Sequence, residues 1–148
     1  MPVEKSAGAV IFHRGKDEIR YLLLHYPSAI RRAKDYWDFP KGHIEGKEKV
    51  EETIKREVKE ETGLKDLKFV EGFREWIKYF FRFEGKTIFK IVSYLLVDTK
   101  TEEVKISSEH IGYKWLPYEE ALEQLTFQNA KEILKKAHQF LEDYEIEF

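Results

Sequence analysis

Three glutamates, Glu57, Glu60 and Glu61, form the densest group of chemically capable side chains in this sequence. Carboxylates this close repel one another, and burying them costs free energy unless something offsets their charge. A divalent cation can do so, because hard Mg²⁺ prefers oxygen ligands and phosphate oxygens can complete its coordination shell. The cluster therefore indicates a site that binds a metal ion together with a phosphorylated substrate.

The element that must position these carboxylates is a predicted helix. Apolar residues recur every four positions along it: Val50, Ile54 and Val58. This spacing predicts a helix from Lys47 to Thr62, which Gly63 ends. At about 100° per residue, Glu61 falls inside the apolar stripe and Glu60 at its edge. The pattern therefore places part of the acidic group against the buried face.

The ordinary interpretation of a glutamate-rich helix is a solvated face with Glu/Lys pairs. It suits the charged residues on the outer side of the helix: Glu48, Glu51, Glu52, Lys55 and Lys59. Glu52 and Arg56 also have the favourable i,i+4 order for an ion pair. Glu61 does not fit this interpretation, because it lies within the apolar stripe.

Strands on both sides of the helix indicate the architecture. Apolar or alternating segments predict strands at 6–12, 19–26, 69–83, 87–97 and 113–116. Glu84-Gly85-Lys86 predicts a hairpin turn, and helices are expected at 118–125 and 129–144. Four aromatic residues are interpreted as core: Trp37, Phe39, Trp76 and Trp115. The order of elements favours an α/β fold in which helices cover a mixed sheet.

Composition narrows the function classes. A chain of 148 residues fits one domain, 1–148, and the net charge of −2 disfavours a broad nucleic-acid surface. The absence of cysteine excludes disulfides, thiolate zinc sites and a cysteine nucleophile. No apolar run is long enough for a membrane span, and the N-terminus does not resemble a signal peptide. We therefore expect a cytoplasmic protein, either a monomer or a homodimer.

The helix and its flanks spell a known motif. Gly42, five residues, Glu48, seven residues and then Arg56-Glu57-Val58-Lys59-Glu60-Glu61-Thr62-Gly63-Leu64 resemble the Nudix box at every fixed position. The resemblance implies an α/β/α sandwich around a central mixed β-sheet, with a loop–helix–loop that binds Mg²⁺ or Mn²⁺. It also implies the metal ligands: Glu57, Glu60, Glu61 and the carbonyl of Lys41. Arg56 and Glu48 would orient the catalytic helix.

Further stretches resemble one branch of this family, the asymmetrical diadenosine tetraphosphate hydrolases. They are 37–45, 71–74, 108–110, 113–116, 125–127 and 138–141. By this resemblance, Glu109 reaches the metal cluster, and Tyr79 and Phe127 sandwich an adenine ring. Such enzymes would release ATP and AMP from diadenosine tetraphosphate.

Chemistry suggests roles for the remaining candidates. Glu57 is our choice for the general base, or for the residue that holds the nucleophilic water. Lys41, His43 and Lys90 are candidates for contacting phosphates. For Lys90 the alternative is an edge-strand lysine that discourages aggregation. For His43 the alternative is that the residue simply lies in a turn.

The aromatic candidates also have an ordinary alternative. For Tyr79 and Phe127 it is core packing, and the case for inward packing is stronger at Phe127. His13, His25 and His138 are interpreted as structural residues.

Three other functions remain open. Related Nudix activities are removal of pyrophosphate from RNA 5′ ends and hydrolysis of diphosphoinositol phosphates. The basic loop from Pro27 to Lys34, with Arg31, Arg32 and Lys34, could serve such bulkier anions. A non-catalytic nucleotide-binding regulator is less favoured, because the box carboxylates are all present.

Overall fold

The chain forms seven strands and three helices in a computed structural model that describes residues 2–28 and 34–146. The elements are β1 (Val3–Arg14), β2 (Ile19–Tyr26), β3 (Tyr36–Asp38), β4 (Lys41–His43), α1 (Val50–Thr62), β5 (Lys68–Phe83), β6 (Lys86–Asp98), β7 (Gly112–Pro117), α2 (Tyr118–Gln124) and α3 (Gln128–Ile146). Arg31 and Arg32 of the predicted basic loop lie outside the described residues.

All seven strands belong to one mixed sheet. Its main order is β3-β2-β1-β6-β5, with β4 pairing with β1 and β7 pairing with β2. The β1–β6 pairing is parallel, from Val3 opposite Phe89 to Phe12 opposite Asp98, and the other pairings are antiparallel. The predicted central mixed sheet is therefore confirmed.

Alternation along β1 divides the core into two layers. Ala7, Ala9 and Ile11 face one side and pack with Ile54 and Val58 of α1. Val10 and Phe12 face the other side, in the cluster that includes α2 and α3. Since side chains alternate across a strand, one strand can build both layers. This arrangement is the expected α/β/α sandwich.

Helix α1 begins three residues later than the apolar pattern predicted. The Glu48 carboxylate accepts the N–H of Glu45 at 2.9 Å, and the Glu48 N–H donates to the Glu45 carbonyl at 3.0 Å. These two bonds close a turn, so Glu48 lies before the helix and not on its solvated face. The strands β3 and β4 were not predicted, because three residues are too short to show a period.

Two interpretations of single residues were wrong. Trp76 is 49 % exposed. It lines an open groove between α1 and the strands β5 and β6, because α1 does not cover this part of the sheet. Lys90 is not on an edge strand, because β6 lies between β1 and β5. The aggregation argument therefore does not account for Lys90.

None of the helices among the described residues is both long and apolar enough to cross a membrane. The short connection between β3 and β4 is pinned to the sheet. Tyr26 donates its hydroxyl to the Phe39 carbonyl at 2.7 Å, and Ala9 donates its N–H to the Pro40 carbonyl at 3.0 Å. These bonds fix the entrance to β4.

Candidate active site

Strand β4 aims two consecutive residues at opposite faces of the sheet. Gly42 lies opposite Ala7, whose side chain is in the α1 layer, and Lys41 lies opposite Gly8. A β-carbon on Gly8 would stand 2.5 Å from the Tyr94 ring, which belongs to the α3 layer. Directly opposed residues share a face. The Lys41 side chain therefore faces α3, and Gly42 faces α1.

The backbone of Lys41 is turned toward the acidic helix. Pro40 and Ile44, on either side of β4, bond to β1 through their backbone groups. Because such bonds alternate along an antiparallel pair, the N–H and carbonyl of Lys41 point away from β1. A hydrogen bond from the Lys41 backbone to the Glu61 carboxylate agrees with this direction.

Helix α1 ends in a way that fixes Glu61. Gly63 adopts a left-handed conformation with φ of 77°, and its N–H donates to the Lys59 carbonyl. Glycine adopts this conformation without the steric cost of a β-carbon. Ile54 and Val58 are fully buried beneath the helix, so the neighbouring Glu61 is carried into the interior.

Glu61 is a buried carboxylate with an unusual environment. Its side chain is 8 % exposed, and its Oε2 has no hydrogen-bond partner among the described residues. Burial, and then the negative charge of Glu57, raise the pKa of Glu61 to about 8. An orphaned buried carboxylate oxygen beside other carboxylates is a suitable ligand for a divalent cation.

Arg56 donates four hydrogen bonds to three groups around the acidic cluster. Its Nε donates to Glu48 Oε2 at 2.8 Å, and Nη2 donates to Glu48 Oε1 at 3.0 Å. Nη2 also donates to the His43 carbonyl at 2.9 Å, and Nη1 donates to Glu57 Oε1 at 2.6 Å. The predicted Glu52–Arg56 ion pair is thus replaced by a bidentate pair with Glu48. These contacts tie the loop before α1 to the helix.

A cavity of about 370 Å³ collects most of the predicted metal-site residues. Its lining contains Lys41, His43, Glu57, Glu61 and Glu109, together with Glu45, Tyr26 and His110. Glu60 is not part of that lining. It is 60 % exposed and lies 3.7 Å from Arg56 Nη1.

The carboxylates do not yet converge on one point. Over residues 2–28 and 34–146, no three acidic or imidazole side chains are arranged to enclose a cation. Arg56 holds Glu57, whose pKa is raised mainly by burial. Binding of a cation by this set therefore requires Glu57 and Glu60 to turn toward Glu61.

A second cavity, of about 570 Å³ on the α3 side, contains the predicted base-binding residues and two of the three predicted phosphate-binding residues. Tyr79, Phe127, Lys90 and Lys41 all line it. Phe127 is 46 % exposed, so the expectation of inward packing was wrong. Lys41 lines both cavities, so the aromatic cavity and the acidic one share this residue.

Lys41 is held by a buried aspartate. Its Nζ donates to Asp38 Oδ2 at 2.9 Å, and Asp38 is only 2 % exposed. Burial acts to lower the pKa of Lys41, but the charge and hydrogen bond of Asp38 outweigh it and the pKa is raised. Lys90 has the opposite outcome, because burial and the nearby Lys41 lower its pKa. Two lysine side chains, Lys41 and Lys90, therefore line this cavity.

Sequence reasoning missed several lining residues. Tyr36 and Asp38 belong to the short strand β3, and the Tyr36 ring lies 5.3 Å from that of Phe127. Asn129 lines the same cavity, and His110 lines the acidic one. The signal for Asp38 was present, since an aspartate between Trp37 and Phe39 in an apolar stretch requires a partner.

Comparisons with known proteins agree with the geometry. The Nudix domain model matches residues 3–137. A Mus musculus bis(5′-nucleosyl)-tetraphosphatase (asymmetrical) is 35 % identical over 147 residues, which cover 93 % of this chain and 95 % of the relative. A Nitratiruptor RNA pyrophosphohydrolase is 29 % identical over 106 residues, with coverage of 63 % and 66 %.

A solved structure gives the same result for the fold. The crystal structure of a C. elegans Ap4A hydrolase binary complex superposes with a TM-score of 0.79 at 29 % identity. The alignment covers 95 % of this chain and 98 % of that one. The fold, the box and the match over residues 3–137 together establish that this chain belongs to the Nudix family.

Proposed function

We propose that this Nudix hydrolase cleaves diadenosine tetraphosphate asymmetrically into ATP and AMP. The observation that carries the proposal is that Lys41 lines both cavities. An aromatic cavity that could accept a base thus lies next to an acidic cavity that could accept phosphates and a cation. The Mus musculus relative, which is named for this activity, is similar over nearly the whole chain, and this similarity supports the proposal of the same substrate.

The adenine end of the substrate would occupy the aromatic cavity. Tyr79 and Phe127 line it, and Tyr36 packs beside Phe127 at a ring tilt of 54°. Stacking of one base on such rings contributes about 1–3 kcal/mol. A half-exposed phenylalanine between two helices is well placed for this role, because it loses little packing when a base covers it.

The phosphates would follow the cations of the two cavities. Lys41 and Lys90 line the aromatic cavity, and His43 lines the acidic one. Lys90 is partly buried next to a second cation, a costly arrangement that an anionic substrate relieves. The polyphosphate is thereby drawn past Lys41 toward the carboxylates.

The acidic cavity suits a divalent cation, which we propose to be Mg²⁺ or Mn²⁺. Glu57, Glu60, Glu61, Glu109 and the carbonyl of Lys41 would hold it. When bound, the cation would neutralise phosphate oxygens and lower the pKa of a water molecule. The fit rests on the unpartnered Oε2 of buried Glu61.

Glu57 is our candidate for the general base. Its carboxylate lines the acidic cavity, and burial raises its pKa above the ordinary value, which strengthens it as a proton acceptor. Arg56 and Glu48 would keep the residue in place through the helix they anchor. Release of Glu57 from Arg56 would free it to accept the proton of the attacking water.

Product identification tests this proposal directly. The protein is incubated with diadenosine tetraphosphate and Mg²⁺, and the nucleotides are separated by ion-exchange chromatography. Equal amounts of ATP and AMP are expected. Glu57→Gln should lower turnover by orders of magnitude, whereas Glu51→Gln, on the exposed outer side of α1, should not. Formation of ADP, or no turnover, contradicts the proposal.

Removal of pyrophosphate from RNA 5′ ends is the second candidate. The partial likeness to a Nitratiruptor RNA pyrophosphohydrolase favours it, although that alignment leaves about a third of each chain unmatched. Rates on diadenosine tetraphosphate, 5′-triphosphorylated RNA and a diphosphoinositol phosphate should be compared at equal substrate concentration. Faster turnover of the RNA would replace the first candidate with this one.

A further inference from the structure

His110 is a buried histidine beside the acidic cavity that has no part in the mechanism above. Its side chain is 1 % exposed, and its Nε2 lies 3.8 Å from Glu61 Oε1. Among the described residues, His110 Nε2 and Glu61 Oε2 are the buried side-chain atoms that lack a hydrogen-bond partner. A buried polar atom without a partner costs free energy, so two such atoms in facing residues require an explanation.

The proton of the imidazole can be placed from its other contact. The Ser107 hydroxyl oxygen accepts the N–H of Glu109 at 3.3 Å and lies 2.9 Å from His110 Nδ1. A serine hydroxyl has one donor and two acceptor sites, so its proton can be directed to Nδ1, which then acts as the acceptor. The remaining ring proton therefore lies on Nε2, the atom that faces Glu61.

The surrounding contacts hold the ring in this orientation. The Tyr26 ring meets the imidazole edge-on, with centroids 4.7 Å apart and planes at 70°. The His110 N–H donates to the Ser107 carbonyl at 3.1 Å, and the Ile111 N–H donates to the His25 carbonyl at 2.8 Å. The turn from Ser107 to His110 is thus fixed to β2.

We propose that His110 is a positioning residue whose Nε2–H binds the Glu61 carboxylate and aims it at the cation. The distance of 3.8 Å exceeds a hydrogen bond by roughly 0.6 Å, a gap that a small turn of the carboxylate closes. The same Ser107 hydroxyl accepts the N–H of Glu109, so one turn orients two of the proposed ligands. Supporting hydrogen bonds of this kind fix ligand direction in metal sites. This inference rests on the proposed function.

The tautomer provides a test that needs no metal. Long-range ¹H–¹⁵N correlation spectra of the metal-free protein, recorded at a pH above the Glu61 pKa of about 8, identify which imidazole nitrogen carries the proton. We expect the His110 proton on Nε2, with Ser107→Ala weakening that preference. A proton on Nδ1 would overturn the proposal, because Nε2 could then donate nothing to Glu61.

Metal affinity provides the second test. Mn²⁺ binding is measured by electron paramagnetic resonance for the wild type, His110→Phe and His110→Gln, without substrate. The phenylalanine keeps a ring against Tyr26 but donates nothing, and we expect affinity to fall about 10–100-fold. The glutamine amide can donate, and it should restore much of the loss.

The matched control is His138→Phe, since His138 is bound to Tyr21 and stacked on Tyr118, outside both cavities. It should bind Mn²⁺ like the wild type, whatever its melting temperature. Equal Mn²⁺ affinity in the wild type and His110→Phe overturns the positioning role alone. No Mn²⁺ binding by the wild type would instead contradict the proposed function.

Discussion

Gly42 lies directly against the carboxylate of Glu57. A β-carbon at residue 42 would stand 2.0 Å from Glu57 Cδ and 2.3 Å from its Oε1. Separations under 3 Å do not occur between such atoms, so any larger residue must displace the carboxylate. The glycine of the box is therefore required by space beneath Glu57, and not by a left-handed backbone.

Replacing this glycine should disturb activity more than folding. Gly42→Ala is expected to lower kcat about 100-fold, because Glu57, the proposed base, would lose its alignment if moved by roughly 1 Å. Gly112→Ala is the matched control, since an added β-carbon there meets nothing within 4 Å. Steady-state kinetics and thermal melting of both variants check this expectation. A Gly42→Ala enzyme with wild-type kcat would show that Glu57 need not occupy its present position.

Arg56 should not be replaceable by another cation. Arg56→Lys is expected to lower both kcat and the melting temperature, because one ammonium cannot serve Glu48, Glu57 and the His43 carbonyl together. Arg20→Lys, in an exposed pair with Glu18, should change neither quantity. Kinetics and calorimetric melting of the two variants would decide. Full activity of Arg56→Lys would mean that charge alone suffices.

Much of the fold could be predicted from sequence, and the reasons lie in particular segments. The four-residue spacing of Val50, Ile54 and Val58 located α1, and apolar runs located the long strands. Strands β3 and β4 were missed because three residues carry no period, yet they place Asp38 and Lys41. Trp76 was assigned to the core because hydrophobicity does not reveal how far a helix covers a sheet.

The candidate site shows the same contrast between what sequence could predict and what it could not. Motif residues such as Glu57, Glu61 and Glu109 line one cavity, and local spacing or resemblance located them. The partnership of Asp38 with Lys41 and of Ser107 with His110 depends on tertiary contacts that no spacing shows. The sharing of Lys41 between two cavities is likewise a property of the folded sheet.

The free energy of unfolding of the metal-free protein should decrease as the pH rises, because Glu61 is protonated in the folded state. Its pKa of about 8 in the folded state exceeds the unfolded value of about 4.3, so the native protein binds more protons between these values. The contribution of Glu61 is therefore fully present below pH 4 or so and is lost as the pH rises through about 8.

Chemical denaturation in the presence of a chelator would measure this effect. The free energy of unfolding of the wild type is compared with that of Glu61→Gln at pH 5, 7 and 9. The advantage of the glutamine variant should grow as the pH rises, because glutamine cannot ionise. A constant difference across the range would mean that Glu61 titrates at its ordinary pKa.

Lys90 should show opposite effects on stability and binding. Lys90→Met is expected to raise the melting temperature, because it removes a partly buried cation whose pKa is lowered by burial and by Lys41. The same change should weaken binding of a non-hydrolysable dinucleotide about 10-fold, the loss of one charged hydrogen bond. Lys78→Met, at an exposed position of β5, is the control for both measurements. Unchanged dinucleotide affinity would remove Lys90 from the phosphate path.

The most direct measurement is calorimetric titration of the protein with Mn²⁺, with and without a non-hydrolysable dinucleotide. The account predicts binding by the wild type and by Glu51→Gln, and a loss of at least about 10-fold in affinity for Glu61→Gln. It is contradicted if the wild type takes up no Mn²⁺ under either condition, or if Glu61→Gln binds it equally well.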